Sequence, residues 1–245
     1  MSQNTGDTLI MSLNSSFNFN EFYKNIFDQI EQAFNNKSDI AGTIHGQRKI
    51  YQGCFGRNTA LFPSTKCNGS IPVESRLELA HAICLEQDPQ VKQFRTQSLK
   101  IPLSQNKCSY PDFLIETNDN NFEVHEVKPC IKSLPYKDIE RFERLSTIFS
   151  SIGITFKLVD KTILPSEKQL QHLLYLYQRG HRHQWNRFEI NFALEQLQKQ
   201  ELHDINQAHK MLKDIGLKEE LGDYLLFHKK ISIPLNKPAL TNGSV

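Results

Sequence analysis

Hydrophobic positions along the chain recur with two periods, and the change from one to the other marks out helices and strands. Phe22, Ile26, Ile30 and Phe34, flanked by Tyr23 and Phe27, predict an amphipathic helix from Asn20 to Phe34 with Asn20 as its cap. Over residues 72–85, Leu77, Ala80, Ile83 and Cys84 share one side of a helix while Leu79, Ala82 and Leu85 fill much of the rest, so this helix is expected to be mostly buried. Extended segments take over between residues 91 and 128. Tyr110 to Glu116 and Phe122 to Lys128, rich in aromatic and β-branched residues, read as a hairpin closed through the polar run Thr117 to Asn121. Alternation puts Phe122, Val124, Glu126 and Lys128 on one face of the second strand and Glu123, His125 and Val127 on the other. A further helix, capped by Ser133 and burying Ile139, Phe142, Leu145 and Phe149, leads to a strand from Ile154 to Val159. The succession predicts an α/β fold, a mixed sheet flanked by helices.

From Pro165 the pattern becomes helical. Ser166 and Gln169 form a capping box ahead of Leu170, Leu173, Leu174 and Tyr177. Helices are then expected over Phe188 to Lys199, with Phe188, Phe192 and Leu197 inward, and over Asp204 to Ile215, stopped by Gly216. An extended stretch from Tyr224 to Ile233 completes a small helical or winged-helix-like domain. The expected organisation is a tail and amphipathic arm over 1–36, an α/β domain over 37–164 and a helical interaction domain over 165–245. Residues 1–16, rich in Ser, Asn, Gln and Thr, are expected to be disordered, and the arm either covers the core or docks a partner.

At 245 residues the chain can bury one substantial core and a second, smaller one. Its formal net charge of +2 is small for a dedicated nucleic-acid binder, so local charge matters more. Arg48, Lys49, Arg57 and Lys66 cluster with Gly42, Gly46, Gly53 and Gly56; they either contact phosphates or form a solvated loop. Arg179, Arg182 and Arg187 lie in a basic linker from Gln178 to Arg187, whose Trp185 either stacks on a base or anchors the helices. Five scattered cysteines without a C-x-x-C pair fit neither a disulfide framework nor a zinc ribbon. With no charged-then-apolar leader at the start and no apolar run near the ~20 residues of a membrane span, a soluble cytoplasmic protein is expected.

The candidate chemistry lies in the hairpin. Asp112 interrupts an otherwise apolar strand, and strand pairing would bring it level with Glu126 and Lys128. Two carboxylates and one ammonium in a small volume suit divalent magnesium and an activated water. Glu78, set between Leu77 and Leu79 on the buried helix, needs a metal ion or a basic side chain as partner.

Asp112 followed by Glu126-Val127-Lys128 resembles the pattern of the PD-(D/E)xK nucleases. Residues 45–160 or so resemble the TnsA family, the endonuclease subunit of heteromeric cut-and-paste transposases. The likeness lies in Phe62-Pro63-Ser64-Thr65-Lys66, Glu74 to Leu85, Pro111 to Ile115 and Glu126 to Pro129. The best-known member has Gln where this chain has Glu126, the commoner residue in the wider superfamily. The resemblance implies a restriction-endonuclease-like core with the catalytic set Glu78, Asp112, Glu126 and Lys128. It also implies magnesium ions, replaceable by manganese, held by Glu78, Asp112, Glu126 and the Val127 carbonyl. Such a subunit cuts the 5′ strands at transposon ends in double-stranded DNA, while a DDE transposase (TnsB-like) cuts the 3′ strands and an AAA+ regulator (TnsC-like) contacts the complex. The competing expectations are a restriction- or repair-type endonuclease acting alone, and an inactive nuclease fold that binds DNA or protein.

Overall fold

Helix α1 (Phe19–Asn35) opens the structure, a computed structural model that describes residues 18–36, 59–104 and 107–233. Its cap is Asn18, whose side chain accepts from the Glu21 N–H, two residues before the cap expected at Asn20. Strands β1 (Ala60–Ser64) and β2 (Gly69–Val73) form an antiparallel hairpin, followed by α2 (Arg76–Gln87) with Ser75 as its cap. Next come β3 (Val91–Thr96), β4 (Ile101–Ser104), β5 (Lys107–Ser109), β6 (Phe113–Thr117) and β7 (Phe122–Lys128). Helix α3 (Tyr136–Ser150) then leads to β8 (Thr155–Asp160).

The main sheet has the order β3-β6-β7-β8, antiparallel except where β7 and β8 run parallel. A parallel neighbour needs a long crossover, and α3 supplies it. The result is a mixed sheet flanked by helices. Leu114 and Val124 on one face of the sheet join Ile26, Ile30 and Ala33 of α1 and Phe142, Leu145 and Phe149 of α3 in one core. The arm therefore packs on the sheet, and Gln29 fastens it by accepting from the Lys100 N–H at 2.7 Å. Phe113, one residue from Leu114, faces the other way and meets the His81 ring of α2 edge-on at 4.9 Å.

Two local expectations change in α3. Ser133 lies in a 3-10 turn (Ile131–Ser133) and Pro135 takes the cap position. The buried stripe is Phe142, Leu145, Ile148 and Phe149, while Ile139, nearer the start of the helix, is 39% exposed.

The chain divides between Pro165 and Ser166 into two compact units. Among its described residues the second unit holds four helices, α4 (Glu167–Gly180), α5 (Arg187–Leu197), α6 (Ile205–Asp214) and α7 (Glu220–Phe227). The Ser166–Gln169 capping box is present, and Asn186 and Glu189 form another. The extended stretch expected over Tyr224 to Ile233 is instead α7 and a following turn, so the described second unit is helical and lacks the strand of a winged helix. Leu221 and Leu225, four apart and both fully buried, set a helical period that the short apolar run Tyr224 to Phe227 conceals. Phe188 is 76% exposed, contrary to the inward position expected of it. The buried face of α5 is centred on Ala193 and Leu197, and a residue five before Ala193 points well away from it. Where α4 meets α7, a Cβ on Gly180 would lie 2.6 Å from the Tyr224 nitrogen, so only glycine permits this approach. Among the described residues no helix is long and apolar enough to cross a membrane.

Candidate active site

Residue pairing across β6 and β7 sets the site. Phe113 lies opposite His125, so Asp112, one step before β6, comes level with Glu126. Its Oδ2 accepts from the Val127 N–H at 2.8 Å, taking the place of a ladder partner where β6 has not yet begun. An extended residue turns its N–H and C=O to the same side, so the Val127 carbonyl also faces the Asp112 side of β7. Lys128 Nζ lies 2.8 Å from Glu126 Oε1 and 3.9 Å from Asp112 Oδ2. Glu126 is 5% exposed, and its second oxygen, Oε2, is buried without a hydrogen-bond partner.

Glu78 reaches the site through its charge. One of its oxygens accepts from the Glu74 N–H at 2.8 Å and the other from the Ser75 hydroxyl at 2.9 Å, both at the start of its own helix. Burial raises its pKa, and Lys128 works against that rise. Asp112 feels the same surroundings more strongly. Burial, then the neighbouring Glu126 and Glu78 carboxylates, push it up to about 8, against the pull of Lys128 and the Val127 N–H. Three carboxylates and one close ammonium leave an excess of negative charge that protonation of Asp112 relieves, and that a bound cation would relieve equally well.

Among the described residues no group of three or more His, Cys, Asp or Glu stands where it could hold a metal ion. Magnesium does not require one. It commonly takes one or two carboxylates and keeps several waters, and Asp112, Glu126 and the Val127 carbonyl match that donor set. The orphaned Glu126 oxygen and the raised Asp112 pKa both favour a cation between them.

Behind β7 lies a relay that the sequence patterns did not single out. His81 Nε2 is 2.9 Å from His125 Nδ1, His125 Nε2 is 2.9 Å from Glu123 Oε2, and Lys157 Nζ reaches the same oxygen at 2.7 Å. Because Glu123 can only accept, His125 carries its proton on Nε2 and His81 donates to Nδ1. Burial lowers both pKa values, that of His81 to about 3, and fixes the pair as neutral imidazoles. The sequence offered only alternation, which placed His125 opposite Glu126 without naming its partner.

The other candidate residues are dispersed. Arg48, Lys49 and Arg57 lie outside the described residues. Lys66 is committed to the end of α2, where its ammonium donates to the Leu85 carbonyl at 2.8 Å and to the Asp88 carbonyl; burial lowers its pKa against the attraction of Glu86. The run Ser64 to Lys66 wraps the fully buried Glu86 carboxylate, which accepts from the Ser64 and Thr65 hydroxyls and the Thr65 and Lys66 N–H groups. In the second unit, Arg179 is part of α4 and bonds Asp223 at 2.8 Å and Glu219 at 3.0 Å. Arg182 and Arg187 are exposed. Trp185 donates to the Gly180 carbonyl at 2.6 Å and packs against the helical core, so it anchors the helices. Compared with known proteins, the chain matches no family model and no curated protein.

Proposed function

We propose that the chain is a metal-dependent DNA endonuclease of the PD-(D/E)xK type, a TnsA-like subunit that cuts the 5′ strands at transposon ends beside a DDE transposase and an AAA+ regulator. The observation that carries the proposal is the meeting of Asp112, Glu126 and Lys128 at the β6–β7 register, with one Glu126 oxygen buried and unpartnered. The transposon role rests on the motif resemblance alone.

Asp112, Glu126 and the Val127 carbonyl would hold magnesium or manganese, which when bound polarises the phosphate and makes a coordinated water a stronger nucleophile. Lys128, 22% exposed at the mouth of the site, orients the attacking water and offsets charge that builds on the phosphate. Glu78 keeps the local field negative and so favours cation entry. Water adds across the P–O3′ bond, leaving a 5′-phosphate and a 3′-hydroxyl. The neutral His81–His125 pair holds the β7 backbone from the opposite face and takes no part in proton transfer.

The test is strand-resolved cleavage of end-labelled transposon-end duplex in magnesium, with and without the cognate transposase, using wild type and Asp112→Ala. Transposase-dependent 5′-strand cuts that vanish in the variant are expected. Cuts without the transposase would indicate an endonuclease acting alone, and a fully active Asp112→Ala variant would remove the active-site assignment.

A further inference from the structure

Arg141 of α3 stands at the same carboxylates, and the hydrolysis described above leaves it without a task. Its Nη2 lies 3.7 Å from Glu126 Oε1 and 3.6 Å from Asp138 Oδ1. Both distances allow attraction between charges, and neither is a hydrogen bond. Its Nε is buried with no partner, and its side chain is 36% exposed, open on one side to solvent. The guanidinium lies 4.5 Å from the centre of the Phe142 ring, and Lys128 Nζ lies 5.6 Å from the same ring. One aromatic floor thus carries two cations beside one carboxylate.

Two orphaned polar atoms, Glu126 Oε2 and Arg141 Nε, therefore belong to the two ends of a single ion pair that has not closed. A bidentate Arg141–Glu126 bridge would satisfy both atoms and is not formed. A cation at the carboxylate and an anionic oxygen at the guanidinium would also satisfy both. We propose that Arg141, turning its buried Nε edge outward through the exposed side of its side chain, binds the phosphate to be cut, with Nε and a terminal nitrogen on the two non-bridging oxygens. The planar fork of arginine matches a phosphate in this way, whereas lysine offers only a point charge. The inference rests on the nuclease reading and adds to it a named substrate contact.

Isothermal titration of the full chain separates the two. Manganese is titrated first into wild type, Asp112→Ala, Arg141→Ala and Arg141→Lys, and the 5′-phosphorylated dinucleotide pTpT is then titrated into those that bind the metal, once saturated. Metal binding should be lost in Asp112→Ala and retained in both Arg141 variants. Affinity for pTpT should fall at least ~10-fold in Arg141→Ala and be restored only in part by Arg141→Lys, since a lost bidentate pair is worth a factor of that order. Should Arg141→Ala fail to fold, weaker pTpT binding by Arg141→Lys decides alone. Wild-type affinity for pTpT in a metal-binding Arg141 variant would overturn this inference and leave the nuclease reading intact. Loss of metal from an Arg141 variant, or a wild type that binds metal but not pTpT, would overturn it as well. A wild type that binds no metal would remove the nuclease reading and this inference together.

Discussion

Replacing Asp112 with Asn is expected to stabilise the metal-free protein while removing its chemistry. The folded carboxyl is pushed from 3.8 up to about 8 by burial and by Glu126 and Glu78. In the unfolded chain the same group ionises near pH 4. Between roughly pH 4 and pH 8, then, the folded protein holds a proton that the unfolded chain has released. The associated stability is complete below that window and falls through it by about 1.4 kcal/mol per pH unit, on the order of 5 kcal/mol in all. Asn still offers an oxygen to the Val127 N–H and has no proton to lose. The unfolding free energy of the variant should therefore pull ahead of wild type by about 4 kcal/mol between pH 5 and pH 8. Urea unfolding of both proteins at half-unit pH steps measures this, and taking the difference cancels the titrating groups that do not interact with Asp112. Magnesium should close the gap by stabilising wild type alone. Parallel stability curves would refute the reasoning, because they would mean that Asp112 ionises in the folded protein without cost.

Three other outcomes follow from the geometry. Glu86→Ala leaves the Thr65 and Lys66 N–H groups and two hydroxyls without their acceptor and should cost about 3 kcal/mol, read from urea midpoints. The His81 imidazole should stay neutral in the folded protein down to about pH 4, and its contribution to stability should be lost as pH falls from about 6.5 towards about 3; an NMR midpoint near 6.5 would contradict its burial. Arg179→Ala removes the hydrogen-bonded cation of the fully buried Asp223 carboxylate, leaving only His209 at 3.3 Å beside it, and should cost about 3 kcal/mol, most of it recovered when Asp223→Leu is added, as thermal melts of the single and double variants will show.

The parts of the structure visible in the sequence are those set by local periodicity. The β6–β7 hairpin follows from alternation and from a turn-forming run between two β-rich segments, and its register brings Asp112 to Glu126. Helix α2 was legible because its apolar residues cover more than one face. Contacts between distant residues left no such trace. His81 and His125 are 44 residues apart, and neither position carries a mark that it faces an imidazole. Glu86 reads as an ordinary charged residue near a helix end, and only the fold turns the Ser64 to Lys66 run around it. Arg179 read as part of a basic linker because its partner, Asp223, lies 44 residues ahead in a segment expected to be extended. Tyr224 to Phe227 is short enough to satisfy either period, and burial of Leu221 and Leu225 decides for the helix.

Helix α2 is tied at both ends by its own carboxylates, Glu78 to the backbone ahead of it and Glu86 to the β1–β2 hairpin. The two lie eight residues apart, about 12 Å along the axis, with no proline or glycine between them to bend the rod. Sliding of this rod along its axis would break the Glu86 bonds to the hairpin, whereas the Glu78 bonds, made to residues at the start of the same helix, would travel with it. The Glu78 carboxylate, whose charge helps to raise the Asp112 pKa, therefore stands at one end of a straight helix whose other end is held by the hairpin.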